Sequence, residues 1–277
     1  MKRTAVNAWL KRSRFARVPL MGYRAQMALS SLGSPAVRIA RWTLTSREYT
    51  NFTYDLDDRN RTYLAHFLAV ATGRPVPEML GYFAELEGDE RLRAHIRDTI
   101  RSSVFRGVCD EEPRYGRRLG WYALVRATKP GVVVETGVDK GLGSCTLAAA
   151  LLRNAEEGKP GAYFGLDINP DAGLLFRAPY DQAGRILYGD SLLTLRAFDR
   201  SIDLFVNDSD HSVEHEAREY QIVADKLTKR AFVIGDNAHT NTGLAEFAEA
   251  SGRKFLFFKE QPKDHWYGGA GIGLAFP

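Results

Sequence analysis

The sequence predicts an α/β fold: a seven-stranded, doubly wound, mostly parallel sheet with a C-terminal β-hairpin and an N-terminal helical extension. Three observations carry this expectation. From residue 131 onward, short β-rich runs alternate with helical stretches, which implies parallel strands joined by right-handed crossovers. The last two runs are joined by a loop at 260–269 without a helix, as in an antiparallel hairpin. Residues 48–128, by contrast, carry apolar residues at helical spacing.

Along the chain, residues 1–47 come first as a basic arm with ten Lys and Arg and no Asp or Glu. The helical region at 48–128 follows, with predicted helices over 57–71, 77–87, 89–104 and 115–127. Asp57-Asp58 supplies a start signal, and Gly73 with Pro75 a stop signal. Lys129-Pro130-Gly131 punctuates the entry to the third region, 129–277. There the predicted strands are 132–135, 163–168, 185–188, 202–207, 231–234, 254–258 and 271–276. Helices over 144–157, 171–178, 191–197 and 212–228 separate the first five.

Composition excludes several classes. No run approaches the roughly 20 apolar residues of a membrane-spanning helix. With only Cys109 and Cys145, a disulfide scaffold is not expected, and a reducing cytoplasm is the expected compartment. The net charge of +4 hides an asymmetry, because residues 48–277 carry 28 Lys and Arg against 34 Asp and Glu. The body is therefore mildly acidic and no nucleic-acid partner is expected, although the arm alone could track phosphates. Trp9, Leu10 and Phe15 interleave with Lys11, Arg12 and Arg14, which suits peripheral contact with an anionic membrane. The arm equally fits an acidic partner, a transit peptide, or a solvated or oligomer-packing segment.

The most informative stretch is 132–144, Val-Val-Val-Glu-Thr-Gly-Val-Asp-Lys-Gly-Leu-Gly-Ser. It reads as a buried strand ending in Glu135, a turn containing Gly137, Gly141 and Gly143, and a helix opening at Ser144. Glycines let backbone N–H groups approach a nucleotide-like ligand closely. The spacing Gly-x-x-x-Gly-x-Gly differs from the dinucleotide pattern and points to S-adenosylmethionine rather than NAD. Acids end the next four strands as well: Asp167, Asp190, Asp208 and Asp236. One strand-end Asp commonly caps a helix, but five acids on one rim suit a ligand site at the carboxyl ends of a parallel sheet.

On these motifs, residues 131–277 resemble a class I S-adenosylmethionine-dependent methyltransferase with its Rossmann-like fold; residues 1–110 lie outside the resemblance. It implies that Glu135–Gly143 holds the methionine part, that Asp167 takes the ribose hydroxyls, and that Asp190-Ser191 lies beside the adenine. The segments ending in Asp208 and in Asp236-Asn237 more closely resemble metal-dependent O-methyltransferases of the catechol and caffeoyl-CoA type. That likeness implies a Mg²⁺ site of Asp208, Asp236 and Asn237, a hard oxygen set. Asp208-Ser-Asp-His-Ser also resembles the Asp-x-Asp-His-Ser segment of a bacterial branch of the superfamily. His211 stands where catechol-type enzymes place a catalytic lysine, and histidine can act as general base. Asp210 is the second candidate base. The competing reading is that Asp210, His211 and Ser212 only start a helix, and that Asp236-Asn237 only form a turn.

Other residues carry weaker expectations. Cys145 reads as a packing residue, Glu214 and His215 as outer-helix residues, and His239 as a solvated loop histidine. His265-Trp266-Tyr267 either stack on a planar acceptor or cover the sheet edge. The sequence thus predicts a methyltransferase, Mg²⁺-dependent and acting on the hydroxyl of a small-molecule acceptor. The helical region would wall its pocket and could build a homodimer. The alternatives are a metal-independent N- or carboxyl-methyltransferase and a non-catalytic scaffold anchored by the arm.

Overall fold

A computed structural model describes residues 52–277 throughout and, before them, residues 21, 22, 24–27, 29 and 35–48. The aromatic and basic residues 9–15 of the arm lie outside the described residues. The chain divides into two compact units, Met1–Ser46 and Arg47–Pro277. The first contains helix α1 (Pro35–Thr45).

In the second unit, three helices start where the sequence supplies an aspartate. Helix α2 (Asp58–Thr72) opens on Asp57, whose side chain accepts from the Asn60 N–H at 2.7 Å, and closes on left-handed Gly73. Helix α3 (Val76–Glu87) follows directly. Helix α4 (Glu90–Ser102) opens on Asp89, which accepts from Leu92 N–H at 2.9 Å. Helix α5 (Arg118–Thr128) is buried along nearly its whole length and leads into the sheet.

The sheet has seven strands: β1 (Val132–Thr136), β2 (Ala162–Asp167), β3 (Gly184–Tyr188), β4 (Ile202–Asn207), β5 (Leu227–Gly235), β6 (Lys254–Lys259) and β7 (Gly271–Phe276). Their order is β3-β2-β1-β4-β5-β7-β6, with β1 to β5 parallel and β7 antiparallel to both neighbours. The chain leaves β1 toward β2 and later returns to its other side with β4. That reversal places the switch point, and so the ligand crevice, between β1 and β4. Helix α6 (Leu142–Glu156) follows β1, α7 (Ser191–Ala197) follows β3, and α8 (Val213–Ala224) follows β4.

Side chains alternate across the sheet as strand pleating requires. Val133, Leu204, Val206 and Ile234 join α2 to α6 in one core, while Val132, Val134, Phe205 and Val233 join α7, α8 and later elements in the other. Buried Arg126 ties helices together on the first face, bonding Glu85 at 2.6 Å, Glu157 at 2.5 Å and Asn154. Among the described residues no helix is long and apolar enough to cross a membrane.

Two expectations need correction. The helix predicted over 171–178 does not form; the segment is a series of turns. Gly173 takes φ +84°, and a Cβ there would lie 2.1 Å from Ile186 Cδ1. The second correction concerns the stretch over 212–228, which is helical only to Ala224, because β5 already begins at Leu227. A further helix, α9 (Gly243–Ala250), turns Leu244 and Ala248 inward between β5 and β6.

Candidate active site

One cavity of about 890 Å³ opens at the carboxyl ends of β1 to β5, within the size range of cofactor and substrate pockets. Its wall includes Glu135, Gly137, Gly143, Asp167, Asp190, Ser191 and Asp208 of the predicted cofactor set, together with Asp210, His211, Asp236 and Asn237. Gly141 and Ser144 stand behind the wall. Gly141 takes φ +92° where α6 begins, and Ser144 is fully buried.

The glycine turn is built by close approach. Gly137 takes φ +82°, and a Cβ there would lie 1.9 Å from the Asp208 carbonyl oxygen, so only glycine lets β1 turn across the end of β4. Gly143 has a different task. Its Cβ would meet Glu135 Oε1 at 2.3 Å, so its bareness makes room for that carboxyl. Glu135 is 1% exposed and accepts from Ser144 Oγ at 2.7 Å and from the Tyr163 hydroxyl. Burial pushes its carboxyl up to about 7, against the two hydroxyls that favour the ionised form.

The next two strand-end acids hold backbone. Asp167 Oδ2 accepts from the N–H groups of Val138 and Asp139 at 2.8 and 3.0 Å, pinning the glycine turn to the end of β2. Asp190 caps α7, accepting from Leu193 N–H at 3.0 Å. Ser191 donates to Glu219, a buried carboxylate that also accepts from Thr136, Asn207 and Ser209. His215 lies 3.1 Å from both Ser191 Oγ and Glu219 Oε1 and lines the cavity, so it is a site residue rather than an outer-helix one.

Beside this rim lies the acid and histidine cluster. Ligand atoms of Asp208, His211 and Asp236 fall within 4.8 Å of one another. His211 Nδ1 is 3.5 Å from Glu216 Oε1, and Nε2 is 3.7 Å from Asp208 Oδ1 and 2.9 Å from Asn237 Nδ2. With the Asn237 amide nitrogen as donor to Nε2, the ring proton sits on Nδ1, on the side of Glu216. The Glu216 contact raises the His211 pKa above its ordinary value against burial, with Asp236 adding to the effect. Asp210 is exposed and accepts from Ser212 N–H at 2.9 Å, which holds its carboxyl below the usual range. That makes it the weaker proton acceptor of the two.

Asp236 is paired with Arg117, whose Nη2 lies 2.6 Å from Oδ2 and whose Nε faces Oδ1. Burial opposes its ionisation, but the guanidinium outweighs burial and holds the carboxyl below its ordinary value. Asp208 moves the other way, raised by burial and by the negative neighbour Asp236. Arg117 also stands 3.9 Å from Glu260, which accepts from the Tyr54 hydroxyl at 2.8 Å. Phe52, Tyr54 and Tyr267 join the wall on this side, with ring centroids 5.6–5.9 Å apart for the pairs with Tyr267. Of the last hairpin's aromatic triplet, Tyr267 reaches the cavity, while His265 is buried and accepts from Tyr267 N–H at 2.9 Å. Cys145 is buried against the Leu175 carbonyl, and His239 is exposed off the wall.

Arg117, Glu216, Glu219 and Glu260 are the functional residues that sequence reasoning misses. Glu216 had a signal: with Tyr220 and Val223 it occupies the apolar stripe of α8, where an acid is out of place. Arg117 had none, since its partners lie 119 and 143 positions away.

Residues 134–238 match a family described as a methyltransferase domain. The fold is also that of solved methyltransferases. An O-methyltransferase of tomaymycin synthesis from Streptomyces achromogenes, solved with S-adenosylmethionine, is 19% identical, with a TM-score of 0.52 over 70% of this chain and 93% of that one. A Klebsiella pneumoniae protein provisionally assigned as an O-methyltransferase is 16% identical, with a TM-score of 0.50 over 79% and 97%. No curated protein matches the chain. The match to a methyltransferase domain thus falls on the strands and turns that build the cavity, and the chain shares its fold with these solved methyltransferases.

Proposed function

We propose that the protein is an O-methyltransferase that moves the methyl group of S-adenosylmethionine to the hydroxyl of a small molecule, with His211 as general base. The observation that carries this reading is the Glu216–His211 pair, whose imidazole lines the same cavity as the glycine turn. The residues present fit the cofactor. A glycine turn pinned by Asp167 leads to a rim of Asp190 and Ser191, and about 890 Å³ accommodates both reactants. S-adenosylmethionine, when bound, supplies an electrophilic methyl group on a positively charged sulfur.

The chain's own residues then align and deprotonate. Phe52, Tyr54 and Tyr267 offer rings against which a planar acceptor packs. Glu216 fixes the tautomer and orientation of His211. His211 Nε2 takes the hydroxyl proton while the oxygen lone pair forms the bond to the methyl carbon, and the electron pair of the broken carbon–sulfur bond stays on sulfur. Holding both reactants in line supplies much of the acceleration.

The Mg²⁺ site of Asp208, Asp236 and Asn237 meets a poor fit, because the Arg117 guanidinium already holds Asp236. No step of this mechanism runs through a metal ion.

Calorimetric titration with S-adenosylhomocysteine, followed by an assay of hydroxylated aromatic acceptors, tests the proposal. Micromolar binding, weakened by Asp167→Ala, and a product stable to mild base support a methyl ether. Products formed only from amines, or methyl esters cleaved by base, would replace the O-methyl reading. Absence of S-adenosylhomocysteine binding would favour the scaffold alternative.

A further inference from the structure

We infer that Arg117 is the built-in cation of the acidic rim: its guanidinium, seated between Asp236 and Glu260, occupies a carboxylate that a divalent ion would need, and the enzyme works without a metal. The inference deepens the methyl-transfer reading and rests on it only for turnover.

Arg117 Nη2 donates to Asp236 Oδ2 at 2.6 Å, and Nε stands against Oδ1 as a close ion pair without a hydrogen bond. The Asp236 and Glu260 side chains have no exposure and that of Arg117 has 12%. A charge-assisted guanidinium–carboxylate bond out of water is among the stronger polar contacts. A divalent ion binds a carboxylate oxygen at about 2.1 Å and needs its lone pairs. Asp236 Oδ2 already accepts from Arg117 Nη2, and the guanidinium Nε crowds Oδ1. Arg117 does not deprotonate in proteins, so an incoming ion would meet a fixed positive charge a few ångströms away.

Neighbouring residues hold the arginine in this place. Glu260 stands 3.9 Å from Nη1 on the far side, and the Tyr54 hydroxyl secures Glu260 at 2.8 Å. Gly116, just before Arg117, takes φ +50° with its Cβ position 3.0 Å from the Tyr54 carbonyl oxygen. The backbone that presents Arg117 is thus locked against the same tyrosine. Of the three oxygen ligands the sequence suggests, Asp236 is the one paired with a guanidinium. Arg117 is here a positioning residue. It fixes Asp236 behind His211 and neutralises the rim in the way a bound ion does elsewhere.

The test is Mn²⁺ binding followed by electron paramagnetic resonance, with calorimetry of S-adenosylhomocysteine on the same sample as a separate check of the methyl-transfer reading. Wild-type protein is expected to leave the free Mn²⁺ signal unchanged, and Arg117→Lys likewise, since the charge is kept. Arg117→Met removes the charge at similar length and is expected to gain Mn²⁺ affinity by about tenfold or more. The gain should vanish when Asp236→Asn is added. Turnover by the wild type should be indifferent to chelator. Micromolar Mn²⁺ binding by the wild type, lost in Asp236→Asn, overturns the inference, as does chelator inactivation reversed by Mg²⁺. A folded Arg117→Met protein that remains blind to Mn²⁺ overturns it too. Should that variant not fold, the wild-type titration still decides.

Discussion

His211 has three contacts that decide its chemistry, and each belongs to a different element. Glu216 on α8 faces Nδ1, Asn237 after β5 faces Nε2, and Asp208 at the end of β4 stands 3.7 Å from Nε2. His211→Ala is expected to lower kcat by about 10² to 10⁴, the usual worth of a general base, with S-adenosylhomocysteine affinity unchanged. Glu216→Gln should give a smaller loss, because an amide still orients the ring but no longer supports its positive charge. Equal losses of kcat and cofactor affinity in both variants would instead mark a folding defect. Glu135 gives a second prediction at this scale, in stability. Its carboxyl sits at about 7 in the folded chain against an ordinary 4.5. Between these values the unfolded chain has lost the proton and the folded chain retains it, so stability falls as pH rises through this window and stays low above it. The difference amounts to about 3 kcal/mol. Thermal unfolding from pH 5 to 8 should show that decline in the wild type and a flatter profile in Glu135→Gln.

The turn between β1 and α6 shows what an element asks of its sequence. Gly137→Ala forces a Cβ to within 1.9 Å of the Asp208 carbonyl at φ +82°, so the ends of β1 and β4 must separate. Gly158→Ala is the control: at φ +74° it meets nothing within 4 Å and should cost only about 1 kcal/mol. Differential melting and S-adenosylhomocysteine titration should show Gly137→Ala losing both stability and binding, and Gly158→Ala keeping binding. Legibility in the sequence follows the same division. The strands, the turn and the rim of acids are visible because their signals are local: β-branched runs, glycine spacing and an acid at each strand end. What each acid does is not visible, since Asp167 and Asp190 bond backbone while Asp236 pairs with an arginine 119 positions earlier. The segment 171–178 misleads for a physical reason. Ala172, Leu175 and Phe176 have helical spacing, but they pack as turns around Gly173, whose φ of +84° no helix contains.

At the scale of the whole molecule, the boundary suggested near residue 128 is a change of secondary structure inside one core. Trp121, Tyr122, Leu124 and Val125 of α5 are fully buried in the same cluster as Val133, Val206, Ile234 and Leu274 of the sheet. Full burial of one large apolar side chain is worth about 1.5–3 kcal/mol, and a domain's net stability is about 5–15 kcal/mol. Four such side chains from one helix already match that margin. A fragment of residues 129–277 contains every strand and all of the matched segment 134–238, yet it lacks the covering of one sheet face. It would also lack Arg117, leaving Asp236 and Glu260 buried beside one another without their cation, and Tyr54, which secures Glu260. The fragment is therefore expected to bind a hydrophobic dye, to melt without a cooperative transition and not to take up S-adenosylhomocysteine. A sharp calorimetric transition with retained binding would mean that the sheet and its other helices suffice, and that α2 to α5 serve the acceptor alone.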